Sequence, residues 1–404
     1  MSTVWLSVIG VGEDGVNGLS RDARVALDEA DVVIGGERHH ELVPELKSER
    51  VVWPSPFSKA IELVTKFRGS KTAILVSGDP LWFSAGSLIQ RHVPADEIRY
   101  FPQLSSFQWA AARMGWSLAD VETVTVHGRP AEQIIPHFAP GVRLLVLTAD
   151  ASSPSAVAQL LVRRGFPASR MVALAALGGP REKRFDGVAA DWAENDPGVP
   201  DFHLLAVECV ADPQAEAFSR IGGLPDHAFR HDGQLTKRVV RAATLSALQP
   251  FPHAHLWDIG AGCGSIGIEW MRAAREATCS AIEENVERME MMSFNALELG
   301  APRLRIIAGS APDALEGLPE PDAVFIGGGL TDEGVFDTAW QALKPGRRLV
   351  ANAVTLESES KLFSLYEKFG GTLDRIFSSD AVQIGRYHAM RPGMAVTQWA
   401  VVKR

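Results

Sequence analysis

The chain has 404 residues, 46% hydrophobic and 22% charged, the balance of a globular protein of about two to three domains. That excludes a mainly disordered chain, a collagen-like repeat and a small disulfide-stapled scaffold. The formal net charge is −9, and the parts before and after residue 212 are both acidic, so neither has the basic excess of a nucleic-acid binder. Three cysteines, Cys209, Cys263 and Cys279, are an odd number without metal-ligand spacing, which points to a reducing cytoplasm and to no metal site. His39-His40 and His253-x-His255 likewise lack a third ligand at metal spacing. The N-terminal MSTVWLSVIGVG has no positively charged segment and reads as a strand, not a signal peptide. The longest apolar stretches, such as Met171 to Leu177, are too short to span a bilayer, so no membrane partner is expected.

In chain order, Val4 to Gly12, Ala30 to Gly36, Lys71 to Pro80 and Val142 to Asp150 are short β-rich runs closed by Gly, Pro or Asp, with helical-period segments between them. This alternation predicts parallel α/β architecture. Val172 to Pro180 and the strand Asp201 to Val210 close a first domain, 1–212, whose two sub-domains meet between about Pro102 and Asp120. The Gly-, Pro- and charge-rich stretch 213–233 reads as a linker. In a second domain, 234–404, a helix over Gln234 to Leu248 precedes five strands: His255 to Gly264 with its glycine loop, Thr278 to Glu284, Arg303 to Pro312, Asp322 to Gly329 and Arg347 to Thr355. VTQWAVVKR ends the chain as a further strand.

The sharpest signal is Asp258-Ile-Gly-Ala-Gly-Cys-Gly264, between an apolar strand and a helix. Glycines there allow a tight turn and close backbone approach to a ligand, beside the unpaired N–H groups of a helix start. A dinucleotide site would space its glycines G-x-G-x-x-G. Here they fall at Gly260, Gly262 and Gly264 with an acidic residue two positions ahead, which suits S-adenosylmethionine, a ligand without phosphate. Glu283, at the tip of the next strand, is placed to accept two ribose hydroxyls, Glu284 to cap the following helix, and Gly309 to Pro312 to face the adenine. The bland reading, a structural turn only, loses weight once these strand tips fall in register.

The segments LTKRVVRAATL, WDIGAGCGSIGIE, AIEEN, GSAPDAL and DAVFIGGG resemble the Rossmann-like methyltransferase/decarboxylase that methylates C15 of a precorrin in cobalamin synthesis. The resemblance implies cofactor contacts at Thr236, Asp258, Gly260, Ala261, Gly262, Cys263, Gly264, Glu283 and Ala311. That family often has Asp where this chain has Ser310. In the first domain, GVGEDGVNGLS, SGDPLWFSAG, FPQLSSFQWAAARMG, HGR, LTADASSPSAVAQLL and ALGGPREKR resemble the tetrapyrrole methylases, although Pro102-Gln103 stands where Pro-Gly is common. That fold holds the cofactor between two α/β sub-domains and does not use the early Gly10, Gly12, Gly15 loop in the Rossmann manner. Carried over, the contacts are Asp79, Trp82, Ser105, Ser106 and Leu177. Asp79 equally suits a cap of a helix after Pro80, Trp82 and Trp109 a core, and Arg181, Lys183 and Arg184 a solvated face.

Both halves together resemble the precorrin-6Y C5,15-methyltransferase (decarboxylating) family over essentially the whole chain. The resemblance implies two methyl transfers from S-adenosylmethionine, leaving S-adenosylhomocysteine, to C5 and C15 of a precorrin, with loss of carbon dioxide from its C12 acetate. C5 methylation falls to the first domain, and C15 methylation with decarboxylation to the second. A substrate rimmed with carboxylates calls for cationic clamps, for which Arg38, Arg129, Lys237, Arg238 and Arg347 are the candidates. No catalytic base is singled out. A homo-oligomer is implied by resemblance only. The alternatives are a two-module methyltransferase of another small molecule or of RNA, against which the acidic charge weighs, a nicotinamide dehydrogenase, against which the glycine spacing weighs, and a non-catalytic scaffold.

Overall fold

The computed structural model describes residues 4–44 and 46–404. The main break between its two compact units falls between Glu216 and Ala217.

The first unit contains two five-stranded sheets. In the first, β1 (Leu6–Val11), β2 (Val32–Gly35), β3 (Glu49–Val52), β4 (Thr72–Ser77) and β5 (Ile98–Phe101) are all parallel, in the order β3-β2-β4-β1-β5. The central β1 and β4 are buried nearly throughout, as strands covered on both faces must be. The second sheet holds β6 (Glu122–Thr125), β7 (Arg143–Leu147), β8 (Arg170–Ala175), β9 (Lys183–Val188) and β10 (His203–Glu208), in the order β6-β7-β10-β8-β9. Here the expectation of parallel architecture fails. Only β6 and β7 are parallel, and β10 runs antiparallel to both its neighbours. An apolar run marks a buried strand but carries no direction. The helix Ser106–Met114 follows β5 and buries Phe107 and Ala110 against the second sheet.

In the second unit, β11 (His255–Ile259), β12 (Thr278–Glu283), β13 (Arg305–Ala308), β14 (Ala323–Ile326), β15 (Arg348–Ala353), β16 (Thr372–Ile376) and β19 (Val396–Val402) form one sheet. Its order is β13-β12-β11-β14-β15-β19-β16, with β19 antiparallel to both its neighbours. Between β16 and β19 the chain makes a separate ribbon, β17 (Ser379–Ile384) with β18 (Tyr387–Pro392).

The linker expected over 213–233 is mostly irregular and exposed, with a part that packs on the second unit. From Ala217 onward the chain belongs to the second unit, with Leu224 and Phe229 in its core. The backbone N–H groups of Gly223 and Leu224 donate to Glu269. Apolar periodicity is low there because the segment is a strap held by buried charge. The helix expected from Gln234 begins at Arg238, leaving Thr236 and Lys237 in the turn before it.

Candidate active sites

In the second unit, the site lies at the carboxyl ends of β11, β12 and β13, where an open α/β sheet presents its ligands. Gly260 and Ala261 donate their N–H groups to the Ile282 carbonyl at 3.1 and 3.0 Å. Gly262 has φ +58°, and a Cβ there would meet only the Gln234 carbonyl oxygen, at 3.8 Å. The loop therefore presents bare backbone to open space. Gly264, at φ +81°, starts the helix Ser265–Ala273.

Glu283 is buried at 6% exposure yet sits at the rim of this loop. Its Oε2 accepts the Gly262 N–H at 2.8 Å and its Oε1 the Asn285 N–H at 3.1 Å. A dinucleotide's pyrophosphate would need that Gly262 N–H, and here a carboxylate holds it. Each Glu283 oxygen keeps a lone pair for a further donor, as ribose hydroxyls require. Asp258, at 1% exposure, accepts the Gly267 N–H through Oδ2 at 2.9 Å, while its Oδ1 has no hydrogen-bond partner among the described residues. Burial, with Glu283 adding like charge, pushes the Asp258 carboxyl up to about 7. An open glycine turn with the Glu283 carboxylate at its rim fits a phosphate-free ligand that carries ribose hydroxyls, such as S-adenosylmethionine.

The remaining expected contacts divide. Cys263 is buried in the core with its thiol pushed up to about 11 by burial, so it offers only backbone. Ala311 is half-buried after β13, beside Gly309, whose N–H donates to the Glu283 carbonyl at 3.1 Å. The Thr236 carbonyl accepts from the buried Arg241, which fixes that turn. Glu284 does not cap the following helix. Asn285 does, its side chain accepting from the Arg288 N–H at 3.1 Å, because the cap must sit one residue before the first helical position. Lys237 and Arg238 are exposed, with the Lys237 ammonium 3.8 Å from Asp226. The substrate contact expected at Arg347 is not borne out by its placement. Arg347 precedes β15, at the edge of the parallel strands opposite Gly260–Gly264, beside Asp322 at 3.4 Å and over Phe251 at 4.6 Å.

In the first unit the early glycine pattern is closed by the protein itself. A Cβ on Gly10 would lie 1.8 Å from the Gly78 carbonyl oxygen, and one on Gly15 would lie 2.6 Å from that of Leu42. These glycines serve close packing of backbone on backbone, and nothing in the turn reserves them for a pyrophosphate. The carboxyl end of the first sheet instead faces the end of the second sheet at which β7 and β8 finish and β10 begins. Arg38, after β2, stacks at 4.0 Å over Phe202, before β10, and Arg181 lies 3.8 Å from Glu13. Phe83 and Ala176, on this rim, hold positive φ of 50° and 47°, and such strain gathers where function is built.

The expected residues surround this cleft, several with structural duties. Asp79 caps no helix. Its Oδ1 accepts the Leu81 N–H at 2.7 Å and closes a turn. Trp82 is exposed at 38% and packs on Phe107 at 5.5 Å. Ser105 is buried and begins the helix Ser106–Met114, its Oγ accepting the Phe107 N–H at 3.3 Å, with Ser106 half-buried beside it. Leu177 packs in the core under the second sheet, and so offers backbone only. Arg129 follows β6 at the cleft end of that sheet. Arg38 is ion-paired to Glu13. Sequence reading missed Glu13, His39 and Ser77 around that arginine. In the sequence His39 stands out only as half of a His-His pair, and its position one residue after a candidate clamp is the one local signal that points to it.

Residues 6–193 match the family of tetrapyrrole (corrin/porphyrin) methylases, and residues 227–403 match the precorrin methyltransferase domain. A precorrin-6Y C(5,15)-methyltransferase [decarboxylating] of Sinorhizobium sp is 45% identical over 400 residues, covering 99% of this chain and 96% of that protein. The chain belongs to the precorrin-6Y C5,15-methyltransferase (decarboxylating) family. The protein of that name from Mycobacterium tuberculosis (strain CDC 1551 / Oshkosh) is 37% identical, over 98% of this chain and 99% of its own length. A probable cobalt-precorrin-6B C(15)-methyltransferase (decarboxylating) of Sulfurisphaera tokodaii is 32% identical over 39% of this chain and 84% of its own length. Among the described residues, no helix is long and apolar enough to cross a membrane.

Proposed function

We infer that the chain is a bifunctional methyltransferase that methylates C5 and C15 of a precorrin with S-adenosylmethionine and removes the carboxyl group of the C12 acetate, in cobalamin biosynthesis. The observation that carries this is the end-to-end match to relatives whose name joins both methylations to decarboxylation. C5 methylation is assigned to the first unit and C15 methylation with decarboxylation to the second. Support comes from the tetrapyrrole-methylase match in the first half, the precorrin-methyltransferase match in the second, and a shorter relative named for C15 methylation and decarboxylation together.

Bound S-adenosylmethionine supplies a methyl group on a positively charged sulfur, already a strong electrophile. The chain's own part is placement. In the second unit Gly260–Gly264 and Glu283 hold the donor, and Asp258 shapes the turn from below. In the first unit the residues after β4 and at the start of the helix Ser106–Met114 line the donor's cleft. Arg129 there, and Lys237 and Arg238 in the second unit, hold substrate carboxylates. Fixing two reactants at attack geometry contributes about 7–11 kcal/mol.

The chain is proposed to work in the cytoplasm, in keeping with three free, buried cysteines, and as a homo-oligomer. The ribbon β17–β18 supports the latter, because Ile384, Tyr387 and Met390 are all at least 60% exposed and an isolated two-stranded ribbon is marginal in water. Mass spectrometry of a precorrin incubated with the enzyme and a labelled methyl donor tests the function. Two added methyl groups and one lost carbon dioxide are expected, and product lacking either methyl would overturn the reading. Calorimetry should find two S-adenosylhomocysteine molecules per chain.

A further inference from the structure

Three polar side chains hydrogen-bond one another where the sheet of the second unit packs on the helix Arg238–Leu248. They are Thr244 of that helix, Asn352 of β15 and Gln398 of β19. Leu245, Leu248 and Val350 continue the same layer as apolar core. Thr244 is 0% and Gln398 4% exposed, whereas Asn352 is only half-buried.

The Thr244 hydroxyl donates to the Val240 carbonyl at 2.8 Å, so towards the two amides its oxygen only accepts. It accepts from Asn352 Nδ2 at 2.9 Å and from Gln398 Nε2 at 3.0 Å. Gln398 Nε2 gives its other hydrogen to Asn352 Oδ1 at 3.0 Å. These bonds fix which end of the Asn352 amide is nitrogen. Asn352 keeps one N–H and one lone pair, and no described residue takes either. Polar groups in a core cost stability unless they are satisfied. A network that ends in a half-exposed, unfinished amide is accounted for by a partner from outside the chain.

The position of the amide in the sheet selects that partner. Ala351 pairs with Ile326 of β14, and Ile326 with Ile259 of β11. Asn352 is therefore level with Gly260 and two strands away from it, about 10 Å at the spacing of neighbouring strands. The helix that carries Thr244 is entered from Gln234, whose carbonyl borders Gly262. With the donor's ribose at Glu283 on β12 and its adenine beyond, by β13, the carboxyl ends of β14 and β15 are left for the tetrapyrrole. The carboxylates on its rim are acceptors only, which matches the free N–H.

We propose that Asn352 is a substrate-binding residue of the second unit, donating its free N–H to a carboxylate oxygen of the tetrapyrrole, with Thr244 and Gln398 as positioning residues. The proposal rests on the methyltransferase reading above and gives its C15 site a substrate contact.

The test follows C15 and C5 methylation with a labelled donor, carbon dioxide release, and S-adenosylhomocysteine binding by calorimetry, all on the full chain. Asn352→Ala should raise the tetrapyrrole KM for C15 methylation by about 10–100-fold, the worth of a hydrogen bond to a charged group, and leave C5 methylation and both S-adenosylhomocysteine sites unchanged. Asn352→Asp keeps the acceptor for Gln398 but sets a carboxylate against a carboxylate, and should raise KM further. Thr244→Val removes the lock and keeps the amide, and should raise KM by less. Carbon dioxide release that falls more than methyl transfer places the amide at the C12 acetate, and an equal fall places it at a carboxylate that stays. An unchanged KM in Asn352→Ala overturns the proposal. So does Asn352→Asp binding as well as wild type, which would make the amide an acceptor for a pyrrole N–H, or a weakened S-adenosylhomocysteine site, which would leave the network a structural role only. Failure of the wild type to methylate C15 would instead sink the methyltransferase reading.

Discussion

The guanidinium of Arg241 and the carboxylate of Glu269 meet at 2.6 Å with 0% and 2% of their side chains exposed. Glu269 also accepts the N–H groups of Gly223 and Leu224, and Arg241 donates to the carbonyls of Leu224 and Thr236 and to Asp226. Glu269→Ala removes the fully buried partner of Arg241, leaving the guanidinium only the half-buried Asp226 carboxylate, and breaking a buried pair costs about 3–5 kcal/mol. Denaturant unfolding should show that loss. A cost below about 1 kcal/mol, the range of an exposed pair, would mean the strap is held by packing alone.

Gly262→Arg puts a side chain where φ is +58° and into the open space of the turn. C15 methylation should cease while C5 methylation continues, and mass spectrometry should count one added methyl group in place of two. Loss of both methylations in a folded variant would contradict separate sites.

Glu283→Gln has one acceptor oxygen where the carboxylate has two, and those two hold Gly262 and Asn285. One backbone N–H is left unpaired, at about 1–3 kcal/mol. Calorimetry should show one of the two S-adenosylhomocysteine sites weakened by about 10-fold or more, with the other unchanged.

Arg129→Glu reverses a charge at the cleft end of the second sheet. Tetrapyrrole affinity should fall while S-adenosylhomocysteine affinity stays. Unchanged tetrapyrrole affinity would remove Arg129 from the substrate's contacts.

Asp258 gives a pH signature. Its carboxyl is raised from 3.8 to about 7 in the folded chain, so between those values the folded state binds a proton that the unfolded state has released. Its contribution to stability is complete below pH 3.8 and is lost as pH rises through about 7. Asp258→Asn should therefore become more stable relative to wild type between pH 5 and pH 8 in thermal melts. A stability difference that does not change with pH would show Asp258 ionised throughout.

What was readable in the sequence follows burial and locality. The strands β1, β4, β11, β12 and β14 are buried along nearly their whole length and stand out as apolar runs. The strands β3, β9, β17 and β18 are edge or ribbon strands with mostly exposed side chains, and no periodicity marks them. Gly260–Gly264 could be read because the whole turn is contiguous, and Glu283 because it ends the very next strand. The cluster around Ser77 could not. His39 and Ser77 are 38 residues apart, and only the sheet order that sets β2 beside β4 brings them together.

The packed strap from Ala217 changes where this gene can be divided. A half-molecule begun at Gln234, where the apolar rhythm resumes, would discard the amides that satisfy Glu269 and the Asp226 carboxylate beside Arg241, and would strip Phe229 from the interior. Such a fragment should collect in inclusion bodies. One begun at Ala217 retains every one of those groups, and is the version to express when each half is assayed by itself.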